Sequence, residues 1–148
     1  MAGNSVHLHR VLRASPEKVY RAFLTPKALE KWLPPKGFTA EFHNLEPTVG
    51  GTFRASFTNF TTQGSHSFGG EYLELVPHQL LRYTDQFEDP DLPATMQVAV
   101  TIKEVSCGCE LHVTQEGIPD VIPVEMCYLV WQESLEALAF LVEPDIQE

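Results

Sequence analysis

The sequence predicts an α+β fold in which one curved antiparallel sheet of about seven strands wraps around a long C-terminal helix. The middle of the chain alternates apolar and polar residues, as half-buried strands do. Two short helix-start signals follow the first predicted strand, and the chain ends in a long apolar helical repeat. The 148 residues are enough for a single domain spanning 1–148, and we expect loose termini at 1–4 and 144–148.

The segment after the first strand carries the two helix-start signals. Ser15 and Thr25 are each followed directly by a proline, which is the usual order of a cap and a first helical residue. The prolines after Leu33 end the second helix. We therefore predict a strand over 5–13 and short helices over 16–24 and 26–33.

The middle of the chain is a series of short alternating runs that are separated by turn residues. We predict strands over 37–45, 51–59, 66–75, 79–87, 95–105 and 109–116. One face of these strands is apolar and the opposite face is polar. A sheet with one apolar, buried face, which we call the dry face, and one polar, solvent-exposed face is typical of antiparallel strands.

The last predicted element is a helix over 122–143, in which apolar residues recur every three or four positions. Its stripe contains Val124, Tyr128, Trp131, Leu135, Leu138 and Val142. The remaining faces are also rich in apolar residues, and only a narrow polar stripe is left. We therefore expect this helix to be largely enclosed by the sheet.

The charge distribution narrows the function classes. Residues 1–54 contain eight Lys or Arg and four Asp or Glu, whereas residues 55–148 contain two and sixteen, which gives +4 and −14. Such an acidic chain repels phosphate groups, so we expect neither a nucleic-acid nor a membrane partner.

The first ten residues lack the apolar core of a signal peptide, so we expect a cytoplasmic protein. A monomer and a homodimer both remain open.

No recognised catalytic or cofactor-binding motif is visible, and we predict no metal ion. Cys107, Cys109 and Cys127 are an odd set that we interpret as free thiols, with a hairpin turn at 106–109. A zinc site formed by the first two cysteines and His112 would lack the second ligand pair typical of such sites. His7 and His9 share a strand face, but the sequence assigns them no third ligand. They are predicted to be solvent-facing.

Three stretches carry a resemblance to a known superfamily. They are Ala14 to Phe23 leading to Lys31–Pro35, then Gly70–Pro77 followed by Leu81–Thr84, and finally Trp131–Leu138. With this element order, the chain resembles the START-like helix-grip superfamily (SRPBCC), closest to the domains named after the activator of the heat-shock chaperone ATPase. The resemblance implies the helix-grip fold. Val130 stands where those relatives commonly have glycine, which bears on the volume of any pocket.

Polar residues on the predicted dry face indicate where a pocket would lie. Arg10, Asn44, Asp85 and Gln115 fall in register with apolar neighbours, and each needs a partner, a cavity or a route to water. In the helix-grip order the first strand lies beside the last, which predicts that Arg10 is near Gln115.

Three function classes follow from these residues and from the resemblance. The first is a protein that binds an apolar small molecule between the sheet and the last helix. The alternatives are a chaperone-interaction module and a cyclase-type enzyme that uses the same cavity. The absence of a recognised catalytic motif from the sequence favours binding over catalysis. The predicted ligand-binding residues, with Asp85 as a polar anchor, are Phe42, Phe53, Phe57, Tyr83, Asp85, Met96, Val98, Tyr128 and Trp131.

Overall fold

The computed structural model describes residues 4–147 and confirms the predicted fold class and element order. Residues 1–3 and 148 of the predicted loose termini lie outside the described residues. The elements are β1 (Asn4–Leu12), α1 (Pro16–Leu24), α2 (Pro26–Trp32), β2 (Phe38–Leu45), β3 (Thr52–Asn59), β4 (Ser65–Val76), β5 (Leu80–Phe87), β6 (Thr95–Val105), β7 (Gly108–Ile118) and α3 (Val124–Val142).

The seven strands of the described region form one antiparallel sheet in the order β1-β7-β6-β5-β4-β3-β2. Strands β2 to β7 are neighbours in sequence and are joined by turns, as short hairpin connections allow. The segment between β1 and β2 carries α1 and α2 across the concave side, because these two strands lie at opposite edges. No helix in the described region is long and apolar enough to cross a membrane.

Both helices begin at the proline that the sequence predicts, but only the first has a side-chain cap. The backbone N–H of Lys18 donates to Ser15 Oγ at 3.2 Å, which caps α1. Thr25 occupies the cap position of α2, but its side chain makes no capping bond there. Its hydroxyl instead donates to the carbonyl oxygen of Arg21 at 2.7 Å. The Thr25 side chain therefore bonds to the end of α1, while its backbone carbonyl accepts from Leu29 in the first turn of α2.

Gly70 lets β4 approach β5 closely. A Cβ atom at this position would overlap the carbonyl oxygen of Thr84 on β5. A glycine has no such atom, so the two backbones can come together here. Tyr72 follows two residues later and pairs with Tyr83 across the two strands. The glycine thus fixes the strand spacing beside two of the aromatic residues on the concave face.

The helices bridge the two edges of the sheet and leave its middle less covered. Helix α3 packs along β1 and α2, and α2 packs on β2. The Ser134 hydroxyl donates to the carbonyl oxygen of Leu33 at 2.6 Å, and this bond joins α3 to the end of α2. The indole N–H of Trp131 donates to Gln115 Oε1 on β7 at 2.9 Å. These two bonds hold α3 at a fixed position across the sheet.

Two hydrophobic clusters result from this arrangement. The larger one contains buried residues from all three helices and from β1, β5, β6 and β7. The smaller one lies on β3 and β4 and consists of Phe53, Ala55, Phe68 and Tyr72. Several half-buried aromatic and aliphatic residues contact both clusters. The concave face is therefore mostly apolar, and it has two packing centres.

The pairing of β1 with β7 is as predicted, but the expected proximity of Arg10 and Gln115 is wrong. Arg10 lies opposite Leu111, whereas Gln115 lies opposite Val6. Antiparallel strands run in opposite directions, so the two polar residues are four positions apart along the ladder. At about 3.3 Å per residue this offset is roughly 13 Å.

We predict that Leu135→Ala lowers the free energy of unfolding by about 2–5 kcal/mol, the range for large-to-small changes in a packed core. Leu135 is only 2% exposed on the inner face of α3. Leu129→Ala is the matched control, because Leu129 is on the same helix and 51% exposed. Its cost should stay within about 0.5 kcal/mol. Denaturant melts measure both, and equal losses would show that the sheet does not enclose α3.

Candidate ligand-binding cavity

A cavity of about 420 Å³ lies between the concave face of the sheet, α2 and the first half of α3. This volume is within the range of small-molecule sites, about 300–1,000 Å³. Its wall is mostly aromatic and aliphatic, with a few polar groups. The cavity exists because side chains from the two hydrophobic clusters face each other across a space that no residue fills.

The structure brings seven of the nine predicted site residues to the cavity wall. They are Phe42, Phe53, Phe57, Tyr83, Asp85, Met96 and Trp131. Their strands contribute alternate residues to one face, so a correct assignment of the dry face brings them to the same side. Trp131 reaches them from α3 above.

Val98 and Tyr128 do not line the cavity. Val98 shares the dry face of β6 with Met96, but it is 1% exposed and packed inside the larger cluster. Tyr128 is 40% exposed on α3. Successive helical residues are turned by about 100°, so Cys127 faces the cavity while Tyr128 points away from it.

Fifteen further lining residues were not predicted as site residues. The strands contribute an aromatic set whose alternation is visible in the sequence. Helices α1 and α2 contribute residues that no strand pattern could connect to the site. These strand and helix residues are Phe23, Leu29, Leu33, Phe38, His66, Phe68, Tyr72 and Phe87. The remaining ones are Pro35, Gln115, Ile122, Met126, Cys127, Val130 and Ser134.

Phe53 is the centre of the aromatic wall. Its ring centroid lies 6.5 Å from that of Phe42, 5.6 Å from that of Tyr72 and 5.7 Å from that of Tyr83. The contact with Tyr83 is edge-to-face. Such pairs stabilise each other by about 0.5–1.5 kcal/mol beyond their burial. The wall is therefore a connected set of rings on β2, β3, β4 and β5.

His66 marks the more open end of the cavity. It is exposed, yet it lines the cavity, and its ring lies about 6 Å from those of Phe57 and Phe87. Met126, on the first turn of α3, also lines the cavity and is 52% exposed. A ligand could enter between the start of α3 and the turn that joins β3 to β4.

Asp85 is the unusual polar residue of this apolar wall. Its Oδ1 atom is shielded from solvent and has no hydrogen-bond partner. The backbone N–H of Gln86 gives the carboxylate some stabilisation, but burial outweighs it and raises the pKa of Asp85 to about 7. A buried oxygen without a partner costs about 1–3 kcal/mol. The cavity therefore contains one acceptor that the protein itself leaves unsatisfied.

The groups near Asp85 also keep their protons. Burial first, and then the charge of Asp85, raise the pKa of the Tyr83 hydroxyl and that of the Cys127 thiol. Burial raises the pKa of Tyr72 well above its ordinary value. Protonated phenols and thiols can donate hydrogen bonds. At the polar end of the cavity, the carboxyl group of Asp85 is thus accompanied by uncharged hydroxyl and thiol groups that can donate hydrogen bonds.

Two other polar residues of the predicted dry face, Gln115 and Asn44, are not comparable with Asp85. Gln115 is buried, but its oxygen accepts from Trp131 and its amide donates to Met96 Sδ at 3.2 Å. Asn44 is exposed beside a register shift in β2 and donates to the carbonyl oxygen of Thr52. Gln115 has a structural role in holding Trp131, and Asn44 reaches water.

The three cysteines are free thiols, as predicted. Cys107 is exposed in the β6–β7 turn, whereas Cys109 is buried in β7. Cys127 is half-buried and is the one cysteine that lines the cavity.

We predict that ionisation of Asp85 destabilises the fold as the pH rises. The pKa is about 7 in the folded state against an ordinary value of 3.8, so between these values the folded state binds more protons than the unfolded chain. Stability then falls with rising pH, and the loss is complete above about pH 7. Asp85→Asn removes this loss. Its unfolding free energy relative to wild type should rise steadily from acid to neutral pH.

Asp91→Asn is the control for this pH series, because Asp91 is exposed in the loop between β5 and β6. It should leave the pH dependence of unfolding unchanged. If Asp85→Asn also runs parallel to wild type at every pH, the carboxyl group is not buried in the folded protein.

Comparisons with known proteins identify the family of this chain. A family model described as activator of Hsp90 ATPase homolog 1-like protein matches residues 13–143. A crystal structure of a protein from Chromobacterium violaceum is 54% identical, with a TM-score of 0.95, and covers 96% of this chain and 99% of that chain. No curated protein matches the chain.

More distant structures share the fold alone. A protein from Rhodobacter sphaeroides is 18% identical, with a TM-score of 0.81 and 95% of each chain covered. A protein from Mycobacterium smegmatis is 13% identical, with a TM-score of 0.79, covering 97% of this chain and 93% of that chain. The family match spans most of the sequence and confirms the resemblance seen in its motifs. The chain belongs to the family of activator of Hsp90 ATPase homolog 1-like proteins.

Proposed function

We propose that this protein binds a small molecule with an apolar body and one amine or hydroxyl group, held in the cavity between the sheet and α3. The observation that carries the proposal is the unpartnered Oδ1 atom of Asp85 in an otherwise apolar wall. Either polar group can donate to this oxygen and remove the cost of leaving it unpaired.

The shape of the cavity supports the same proposal. The aromatic wall around Phe53 offers dispersion contact to an apolar body, and His66 and Met126 flank an entrance. A few fixed polar groups in an apolar cavity are the usual composition of a ligand site. The family and the fold are compatible both with ligand binding and with a chaperone-activator-like role.

The alternative of a chaperone-interaction module has one observation in its favour. The outer face of α3 exposes large apolar side chains, among them Leu129 and Phe140, which is 77% exposed. Exposed apolar groups on one helix are typical of a surface that contacts a partner. Variants of these residues would impair such a contact without changing the cavity, so the two functions can be tested separately.

The alternative of an enzyme in the same cavity also has one observation in its favour. Because its pKa is about 7, Asp85 could exchange a proton near neutral pH, as a general acid or base does. An enzyme would release a chemically changed molecule. A binding protein would return the same molecule, so mass spectrometry of the compound before and after incubation distinguishes the two.

We predict that Val130→Phe fills part of the cavity and greatly weakens binding of 4-phenylbutylamine, measured by calorimetry. Val130 lines the cavity from α3, and a phenyl ring there takes space that the ligand needs. Leu129→Phe is the matched control, because it adds the same ring at the neighbouring, exposed position. It should bind like wild type. If both variants bind like wild type, the ligand does not occupy this cavity.

We predict that Asp85 sets the preference for a polar group. Wild type should bind 4-phenylbutylamine about 10- to 100-fold more tightly than butylbenzene, since a hydrogen bond to a charged group contributes about 1.5–3 kcal/mol. Asp85→Leu should bind butylbenzene at least as well as wild type and lose the preference. An unchanged preference in Asp85→Leu would show that the amine group lies elsewhere.

A further inference from the structure

A cluster of three histidines and one glutamate lies on the outer, polar face of the sheet, on the opposite side from the cavity. His7 and His9 come from β1, and Glu110 and His112 come from β7. The register of these strands places His9 directly opposite His112. Glu110 is two residues before His112 and therefore points to the same face. The pairing thus supplies the third and fourth groups that the sequence alone could not assign to His7 and His9.

The donor atoms of this cluster are already close together. His9 Nε2 lies 2.8 Å from Glu110 Oε2, and His112 Nε2 lies 3.9 Å from Glu110 Oε1. One donor atom from each of these three residues lies within 4.8 Å of the other two. Donor atoms bound to one tetrahedral zinc ion are about 3.3 Å apart, given bonds of about 2.0–2.1 Å. Small rotations of exposed side chains are enough to reach that spacing.

His7 contacts the ring of His112 and orients it so that its Nε2 atom is on the side of Glu110. His7 Nε2 lies 3.0 Å from His112 Nδ1, and the two rings are stacked with an interplanar angle of 11°. When Nδ1 of His112 donates this hydrogen bond, its Nε2 atom keeps a free lone pair on the side of Glu110. Histidines that bind metals commonly use their second nitrogen in this way, and the partner fixes tautomer and orientation.

The cluster is accessible, and its donor set matches a particular kind of ion. The side chains of His9, Glu110 and His112 are 46%, 31% and 38% exposed, so an ion can reach them directly from water. Two imidazoles and one carboxylate suit Zn²⁺, with a water molecule in the fourth position. Lys103 lies opposite Glu110 in the β6–β7 register, and its positive charge repels a bound cation, so we expect moderate affinity.

We propose that His9, Glu110 and His112 form a Zn²⁺-binding site on the outer face of the sheet, with His7 as the positioning residue. This proposal replaces the expectation from the sequence that the two histidines of β1 are only solvent-facing. The site would link the edge strand β1 to β7 through the ion. Because only the folded protein brings the two strands together, bound zinc should stabilise the fold.

The test is calorimetric titration of the purified, metal-free protein with zinc chloride. All proteins carry Cys107→Ser, which removes the exposed thiol as a competing ligand. The parent should bind one zinc ion and show a higher Tm with zinc. His9→Gln and His112→Gln should each lose this binding and the shift in Tm. His7→Phe keeps an aromatic ring but no ring nitrogen, and it should weaken binding about 10- to 100-fold.

The matched control is His43→Gln. His43 also lies on a strand next to a glutamate, with its Nδ1 atom 3.8 Å from Glu41 Oε2, but it is not part of the three-residue cluster. This variant should bind zinc like the parent. The proposal is wrong if the parent binds no zinc, or if zinc binding survives in the combined His9→Gln and His112→Gln variant. It is also wrong if His43→Gln removes binding as completely as His112→Gln does.

Discussion

A single helix is too narrow to cover the concave face of a seven-stranded sheet, and the rest of this structure depends on that mismatch. At about 4.8 Å per strand the sheet is roughly 29 Å wide before curvature, whereas a helix with its side chains is about 10–12 Å across. Helix α3 covers the side of β1, and α2 covers the side of β2. The apolar residues between these two contacts are left facing a space of about 420 Å³.

The position of α3 across the sheet is set by hydrogen bonds as well as by packing. The indole N–H of Trp131 donates to Gln115 on β7. The Ser134 hydroxyl donates to the carbonyl oxygen of Leu33, which directly follows α2. A buried glutamine and a buried serine are costly unless they are paired, and here each is paired. Asp85 is the exception on the same face. Its Oδ1 atom leaves one unsatisfied hydrogen-bond acceptor in the wall of the cavity.

Much of the architecture could be predicted because it follows from local patterns. Alternation identified the dry face, and proline after serine or threonine marked the first two helices. The cavity wall was predicted only in part, because two residues on the same face can differ in depth. Met96 faces the cavity while Val98 is packed, and Cys127 faces it while Tyr128 points outward. These differences depend on where α3 lies, and the cluster of His9, Glu110 and His112 depends on the register of β1 with β7. Neither is encoded in a local pattern.

The central claim is that an apolar space remains between the sheet and α3 in the folded protein. A crystal structure of the protein under xenon pressure tests it most directly, because xenon enters dry apolar cavities. The account predicts xenon between Phe53, Tyr83 and Trp131, or in its place a copurified molecule that contacts Asp85. Side chains that fill this space, with no density for xenon or for a ligand, would contradict the account.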